Sequence, residues 1–577
     1  MKLKIILFLL VLFPLNTVTT ATAGILGSKH DLSMTGGGMT GGVAALTEKR
    51  VCVFCHTPHN ALTNANAPLW NRTSTVATYT PYSSLTIHFT PGKPTGSSIL
   101  CLSCHDGTIA IGSVVTSGPA AGGAILMQRG VTTMPLTSKS FMGTDLSNDH
   151  PISFQYTSKL ATDAGELVQP AALPREVKLD GNSELQCTTC HDAHNDINGQ
   201  FLVMSNRGSA LCEACHVKSL WTNSPHNTSG GTWNGVLPDP WPNSTFTTVT
   251  ENACGNCHAA HNAGVKERLF TQSKEEVVCF VCHNGNVGGL KNIQADFMIG
   301  ATVKSAHPLA LATGIHQPYL NNAELPPIKQ RHVECIDCHN AHEGRTDPVN
   351  AVGISGIDWQ GIALSPIADL YQLCFKCHES SLNRAVPLIP RTASQLNVRL
   401  QFDQLNPSYH PITAVAKISS ASLLPPWIAG VAAIPGGAVP LRGVNIFTKS
   451  CFECHVDTPH GSPNVALLQL NMNITSGPES LTAYALCYSC HDRNIILGDT
   501  TFKEHNRHIV GEMASCVTCH DPHGASMAAG ATITNNLRLI NFSTTMVTGA
   551  RLWTGTGNNM GSCTLVCHGE NHAPETY

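Results

Sequence analysis

Charge and aromatic side chains are both scarce in this chain: 12% of its 577 residues are charged and 6% are aromatic. The charged share is about half that of an ordinary globular protein. With few aromatics, the chain lacks the bulky groups that dominate conventional apolar cores. Its formal net charge is −4, so it lacks the net basic surface that phosphate backbones require, and nucleic acid is excluded as a partner. Sustained helical or strand periodicity is missing from residues 107–150, 286–330, 380–450 and 524–561, which are rich in Gly, Pro, Ser, Thr and Asn and read as connecting segments. Residues 421–442 are apolar, but their prolines exclude a spanning helix and leave a packing flap or a docking surface.

The first 23 residues carry the longest apolar run. Lys2 and Lys4 precede Ile5–Leu15, and Ala21-Thr22-Ala23 offers a small-residue cleavage site before Gly24. That is the form of a secretory signal over 1–23, too short for a typical membrane span. Export is therefore expected, and no membrane span is expected once the signal is removed.

What the chain has in abundance is cysteine. All 24 fall into eleven Cys-x-x-Cys-His pentapeptides and one longer Cys-x-x-x-Cys-His. The regular motifs are Cys52, Cys55 and His56; Cys101, Cys104 and His105; Cys187, Cys190 and His191; Cys212, Cys215 and His216; Cys254, Cys257 and His258; and Cys279, Cys282 and His283. They continue with Cys335, Cys338 and His339; Cys374, Cys377 and His378; Cys451, Cys454 and His455; Cys487, Cys490 and His491; and Cys516, Cys519 and His520. The longer motif is Cys563, Cys567 and His568. This spacing reads as c-type haem attachment: two thiols form thioethers with one edge of the macrocycle, and the adjacent histidine swings under the iron. Cys-x-x-Cys is also zinc spacing, but a zinc array needs cysteines in fours or histidines at finger spacing, not one after every second cysteine. The cofactor expectation is twelve covalent haems. With roughly 46 residues per macrocycle, the haems themselves would form the core.

The remaining histidines repeat with the motifs, which fall into six pairs. After the signal, the repeats run over 24–140, 141–220, 221–298, 299–395, 396–500 and 501–577. Each has a histidine shortly after its first motif: His59, His194, His261, His342, His460 and His523. Each also has one upstream: His30, His150, His226, His307, His410 and His508, with His505 an alternative to the last. Those twelve would give every iron a second ligand. His88, His316, His332, His505 and His572 are then left over. His150, His307 and His410 precede proline, which biases them to an extended conformation suited to a ligand on a loop. The short-range histidine faces the same way as the motif histidine and cannot reach the far side of its own haem. It is expected to serve the other haem of its own repeat. Met127, Met134, Met142 and Met298 could serve as axial ligands in principle. With enough histidines present, packing is the expected role for all four.

Phrases such as Cys335-Ile-Asp-Cys-His339-Asn-Ala-His342 and Cys516-Val-Thr-Cys-His520-Asp-Pro-His523 resemble the repeat of multihaem c-type cytochromes with doubled Cys-x-x-Cys-His motifs, over nearly the whole chain. Two departures stand out: His460 lies five residues after His455 rather than three, and the last motif is one residue longer. The resemblance implies bis-histidine haems in closely packed chains. It also implies electron carriage across the periplasm, through the outer membrane or outside the cell, in metal-reducing and related bacteria.

The expected fold is mostly irregular and loop-rich, with short α-helices (209–217 and 366–379 among them) and little β. It would be an extended array of six two-haem repeats templated by haem. The expected function is electron conduction, not catalysis, in the periplasm or at the cell surface, with other redox proteins or extracellular acceptors as partners. Two alternatives stand beside it. A multihaem reductase of a small nitrogen or sulfur oxyanion would need one open haem. A filament subunit could lend a terminal ligand such as His30 to the next copy.

Overall fold

The computed structural model describes residues 24–36, 43–63, 67–84, 87–117, 124–242, 244–309, 333–379, 386–418, 420–425, 450–557 and 560–577. Residues 1–23, where a signal is expected, His316, His332 and most of the apolar stretch 421–442 lie outside these. The chain divides into two compact units. One takes it to Val217 and adds Ala259–Leu269; the other comprises Lys218–His258 and Phe270–Tyr577.

Regular structure is short and clusters at the motifs. The first motif of a repeat sits on a single turn, as at Cys52–Phe54, Cys187–Cys190, Cys335–Asp337, Cys451–Glu453 and Cys516–Cys519. The second sits at the end of a longer helix in Gly96–His105, Glu275–His283 and Leu370–His378. The turn is an economical holder, because it brings thiols three residues apart onto one side. The Leu370–His378 helix is started by a capping box between Asp369 and Gln372, and Glu276 lies in the first turn of its counterpart, where the helix dipole favours negative charge. Helices thus fall inside both stretches where short ones were expected, the first at Ala210–Glu213.

Between the motifs run two-residue ladders. Ser305–Ala306 pairs antiparallel with Gly461–Ser462, and Ser408–Tyr409 with Gly524–Ala525. In both, the strand just before an upstream histidine lies against the residues just after the short-range histidine of the next repeat. Apolar cores are small. The cluster of Ala45, Val53, Phe54, Ile111 and Met127 is among the largest. Met127 therefore packs, whereas Met298 is exposed.

One region departs from the loop-and-turn plan. Val547–Gly557, Met560–Cys567 and Glu570–Thr576 form an antiparallel three-stranded sheet in sequential order. It carries the longer motif on its central strand, in a stretch that partly reads from sequence as a linker.

No helix among the described residues is long and apolar enough to cross a membrane.

A ladder of facing histidines

In five of the six repeats the first Cys-x-x-Cys-His turn is held to a second stretch of chain. The N–H of Asn71, Val203, Thr271, Gln469 and Asn541 donates to the carbonyl of Cys55, Cys190, Cys257, Cys454 and Cys519 at 2.9–3.0 Å. The residues before the donor bend through the left-handed region at Leu69, Phe201, Leu269, Leu467 and Leu539. That bend aims a carbonyl at the imidazole. Nδ1 of His56, His191, His455 and His520 donates to Pro68, Gln200, Ala466 and Arg538 at 2.8–3.0 Å. With Nδ1 carrying the proton, Nε2 is the free donor for a metal.

The upstream histidines are oriented the same way, by the next repeat. Nδ1 of His30, His226, His307 and His410 meets the carbonyl of Ala193, Ala341, Pro459 and Pro522. Each of those carbonyls immediately precedes a short-range histidine. Two of the short-range rings lean instead on side chains: His261 on Asp149 Oδ1 at 3.3 Å and His523 on Gln401 Oε1 at 2.7 Å.

The rings then face one another across gaps of constant width. His30 faces His105 at 6.2 Å between ring centres, His150 faces His216 at 6.3 Å, His226 faces His283 at 6.1 Å and His307 faces His378 at 6.5 Å. These join the upstream histidine to the second motif of the same repeat. The short-range histidines follow a different rule. His194 faces His56 at 6.1 Å, His261 faces His191 at 6.1 Å and His342 faces His258 at 6.3 Å. His460 faces His339 at 6.2 Å and His523 faces His455 at 6.3 Å. Each reaches the first motif of the preceding repeat. The expectation that it serves the other haem of its own repeat is therefore corrected. The ladders and carbonyl contacts carry it backward along the chain.

The spacing tests whether haem iron fits. Interplanar angles range from 8° for His258 and His342 to 85° for His226 and His283, yet the separation hardly changes. Rings in direct contact would close up when stacked. A metal bonded to both, with each nitrogen about 2 Å away, fixes the centres about 6 Å apart whatever the angle. Burial lowers the affinity of His283 and His523 for a second proton, and the facing ring adds to it. His283 falls to about 4 and His523 to about 3. Both are therefore neutral, as a ligand must be.

Four residues change role at the chain's ends. His59 is exposed, and among the described residues no ring faces it. Residues 1–51 hold no Cys-x-x-Cys-His motif for it to reach. His520, in the first motif of the sixth repeat, is faced by His505 at 6.4 Å. His505 was left over in the sequence tally. His508 faces His572, another leftover, at 6.3 Å, while His568 is exposed and, among the described residues, no ring faces it. His88 is also exposed. The signal for the end effects was available in the sequence: a backward-reaching ligand must be surplus in the first repeat and short in the last.

No disulfide joins any of the 24 cysteines. In the first unit, Cys101 lies against Cys187, and hydrogen bonding between the sulfurs, then burial, pushes its thiol up. In the second unit, the same contact joins Cys279 to Cys335, Cys374 to Cys451 and Cys487 to Cys516. Each joins the second motif of one repeat to the first of the next, so within each unit these attachment edges succeed one another in chain order. Glu275 lies beside Cys279 and Cys335 and could complete a three-ligand group with them. Both sulfurs belong to haem motifs, and burial first, then Cys335 and Glu334, pushes this carboxyl up to about 10. It is a neutral acid packed between two attachment sites. Nearby, Lys376 and Asp337 sit inside the two motifs of one repeat and form an ion pair of 3.5 Å, buried on both sides.

These features define a protein built around several covalently attached haems. The chain matches the model of outer membrane cytochromes of the MtrC/MtrF-like type, domains II/IV, over residues 246–406, and the doubled Cys-x-x-Cys-His model over 181–219 and 445–495. No curated protein matches it. These matches support a multihaem c-type cytochrome of the type found in metal-reducing bacteria, and they point to an electron carrier.

Proposed function

We propose that the chain is an exported conduit of twelve haems in six two-haem repeats, working in the periplasm or at the cell surface in extracellular electron transfer. The observation that carries this reading is the ladder of facing histidines with a constant gap, tying each repeat to the next. The 24 motif cysteines would hold the haem edges. The axial sets at ten irons are the facing pairs that contain a motif histidine, from His30 with His105 through His505 with His520. His410 with His491 makes an eleventh. The N–H of His410 meets the carbonyl of His523 at 3.3 Å, as that of His307 meets His460 at 3.3 Å, so the two upstream histidines hold equivalent places.

Bound haem supplies a one-electron iron couple. The chain's part is to close both faces of the iron, fix the imidazole tautomer through Nδ1 and keep successive sites adjacent. Closed coordination suits electron transfer and leaves substrate no position. That argues against a reductase of a small oxyanion. A filament reading gains His59 as a spare ligand, but His505 already faces the histidine that would otherwise be open. The MtrC/MtrF-like match supports other redox proteins and extracellular acceptors as partners and an outer-membrane or external location.

The test is electron paramagnetic resonance of the oxidised protein, with haem quantified by mass. Twelve haems, all low-spin, are expected. A high-spin signal amounting to one haem in the unaltered protein would replace this reading with the reductase.

A further inference from the structure

We infer that the last haem is ligated by His572 and His508, and that His568, the histidine of the Cys-x-x-x-Cys-His motif itself, does not bind iron. This rests on reading the motif as a haem site and names which of its two neighbouring histidines completes it.

The eleven regular motifs place the histidine one residue past the second cysteine at the end of a helical turn, as at His105 and His378. The last motif is built on a strand. Met560–Cys567 is the centre of the terminal sheet, paired on one edge with Val547–Gly557 and on the other with Glu570–Thr576. A bulge interrupts the strand between Cys563 and Leu565, yet Cys563 and Cys567 both pack against the cluster that holds buried Leu565, so the three share one face. That face is inward: the buried cluster of Phe542, Val547 and Leu565 has Cys519, Cys563 and Cys567 packed against it. His568 follows Cys567 in the turn between strands, with φ at 50°, and its side chain is exposed. The turn carries it away from the thiol face.

His572 returns on the next strand directly opposite Leu565, and cross-strand partners project to the same face. Its ring therefore shares the side of the two thiols. Its side chain is 12% exposed. It faces His508 at 6.3 Å, the width found at the other sites. Its Nδ1 is already engaged: it hydrogen-bonds with the Tyr577 hydroxyl at 2.7 Å, and Glu575 Oε2 lies 2.6 Å from it. A carboxylate on Nδ1 fixes the tautomer, directs Nε2 at the metal and makes it a stronger donor. His508 is held through Nδ1 to the Glu504 carbonyl at 2.7 Å. His508 is also the upstream histidine of its repeat, so the rule that joins upstream ligand to second motif is kept. Only the motif-side ligand has moved, by four residues.

The test uses the full-length haem-loaded protein with His572→Ala and His568→Ala. Mass spectrometry of the peptide containing Cys563 and Cys567 establishes whether it carries haem. If it carries none in the unaltered protein, the haem-site reading of this motif fails, and this inference with it. If it does, His572→Ala is expected to turn one of the twelve haems high-spin, with low-spin character restored by added imidazole. His568→Ala is expected to leave all of them low-spin. A His572→Ala protein that stays fully low-spin overturns the inference, as does a haem-bearing His568→Ala protein that turns high-spin. Should His568→Ala abolish attachment at this motif, His572→Ala decides alone, because it keeps the motif intact.

Discussion

Asp149 shows how one side chain can set a ligand's chemistry. It is 4% exposed, and its Oδ1 accepts from Nδ1 of His261, the ring that faces His191. Most of the other oriented histidines in the ladder lean on neutral backbone carbonyls. A carboxylate there strengthens imidazole donation and favours the oxidised metal. Asp149→Asn should keep a hydrogen-bond acceptor and lose the charge. One midpoint potential should rise by on the order of 40 mV, the equivalent of about 1 kcal/mol for a one-electron couple. Spectroelectrochemical titration reads this, and a fall or no change would assign Asp149 to packing alone. Glu479 offers a pH-dependent counterpart. Arg493 contacts it at 2.8 and 2.5 Å, and that hydrogen bonding holds its carboxyl below the usual range despite some burial. A depressed folded-state value stabilises fully above the unfolded one, about 4.3, and the contribution is lost as pH falls through the folded value. Glu479→Gln should therefore melt below the unaltered protein at pH 7, and the gap should close in strong acid. A gap unchanged at low pH would show that the pair's charge contributes nothing.

At the scale of the element, the recurrent unit is a turn clipped to a left-handed bend. Gln200-Phe201-Leu202-Val203 is one example: Gln200 accepts from His191, and Val203 donates to Cys190 at 3.0 Å. Val203→Pro removes that donor and leaves the Cys190 carbonyl without it. A loss of about 1 kcal/mol is expected, read as a lower thermal midpoint, together with a changed low-spin signal from the site of His191. An unchanged signal would mean that the clip does not position the ring. These bends were hidden in the sequence. Leu69, Phe201, Leu269, Leu467 and Leu539 are apolar residues in a conformation that usually selects glycine, so no turn chemistry announced them. The turns that carry the motifs were legible because thiol spacing demands them. The terminal sheet was not, since its central strand is dominated by the requirements of the longer motif.

Across the whole chain, the direction of ligand exchange is what spacing alone did not reveal. The count of one upstream and one short-range histidine per repeat was visible in the residues. Which iron each one serves depends on contacts more than a hundred residues apart, such as the N–H of His410 on the carbonyl of His523. Those contacts bring the short-range histidine of repeats two to six against the first motif of the one before it, so with haem in place successive repeats would be stapled by metal bonds as well as by the peptide chain. The ladder therefore has a polarity that substitution can expose. His523→Ala, in the last repeat, should open the iron of His455, in the fifth, and produce one high-spin haem. His194→Ala should do the same at the site of His56. His59→Ala, the chemically identical change in the first repeat, should produce none, because its ring is exposed and faces no other among the described residues. If each ligand served its own repeat instead, all three variants would turn one haem high-spin, and His59 would be indistinguishable from His523 in the resonance spectrum.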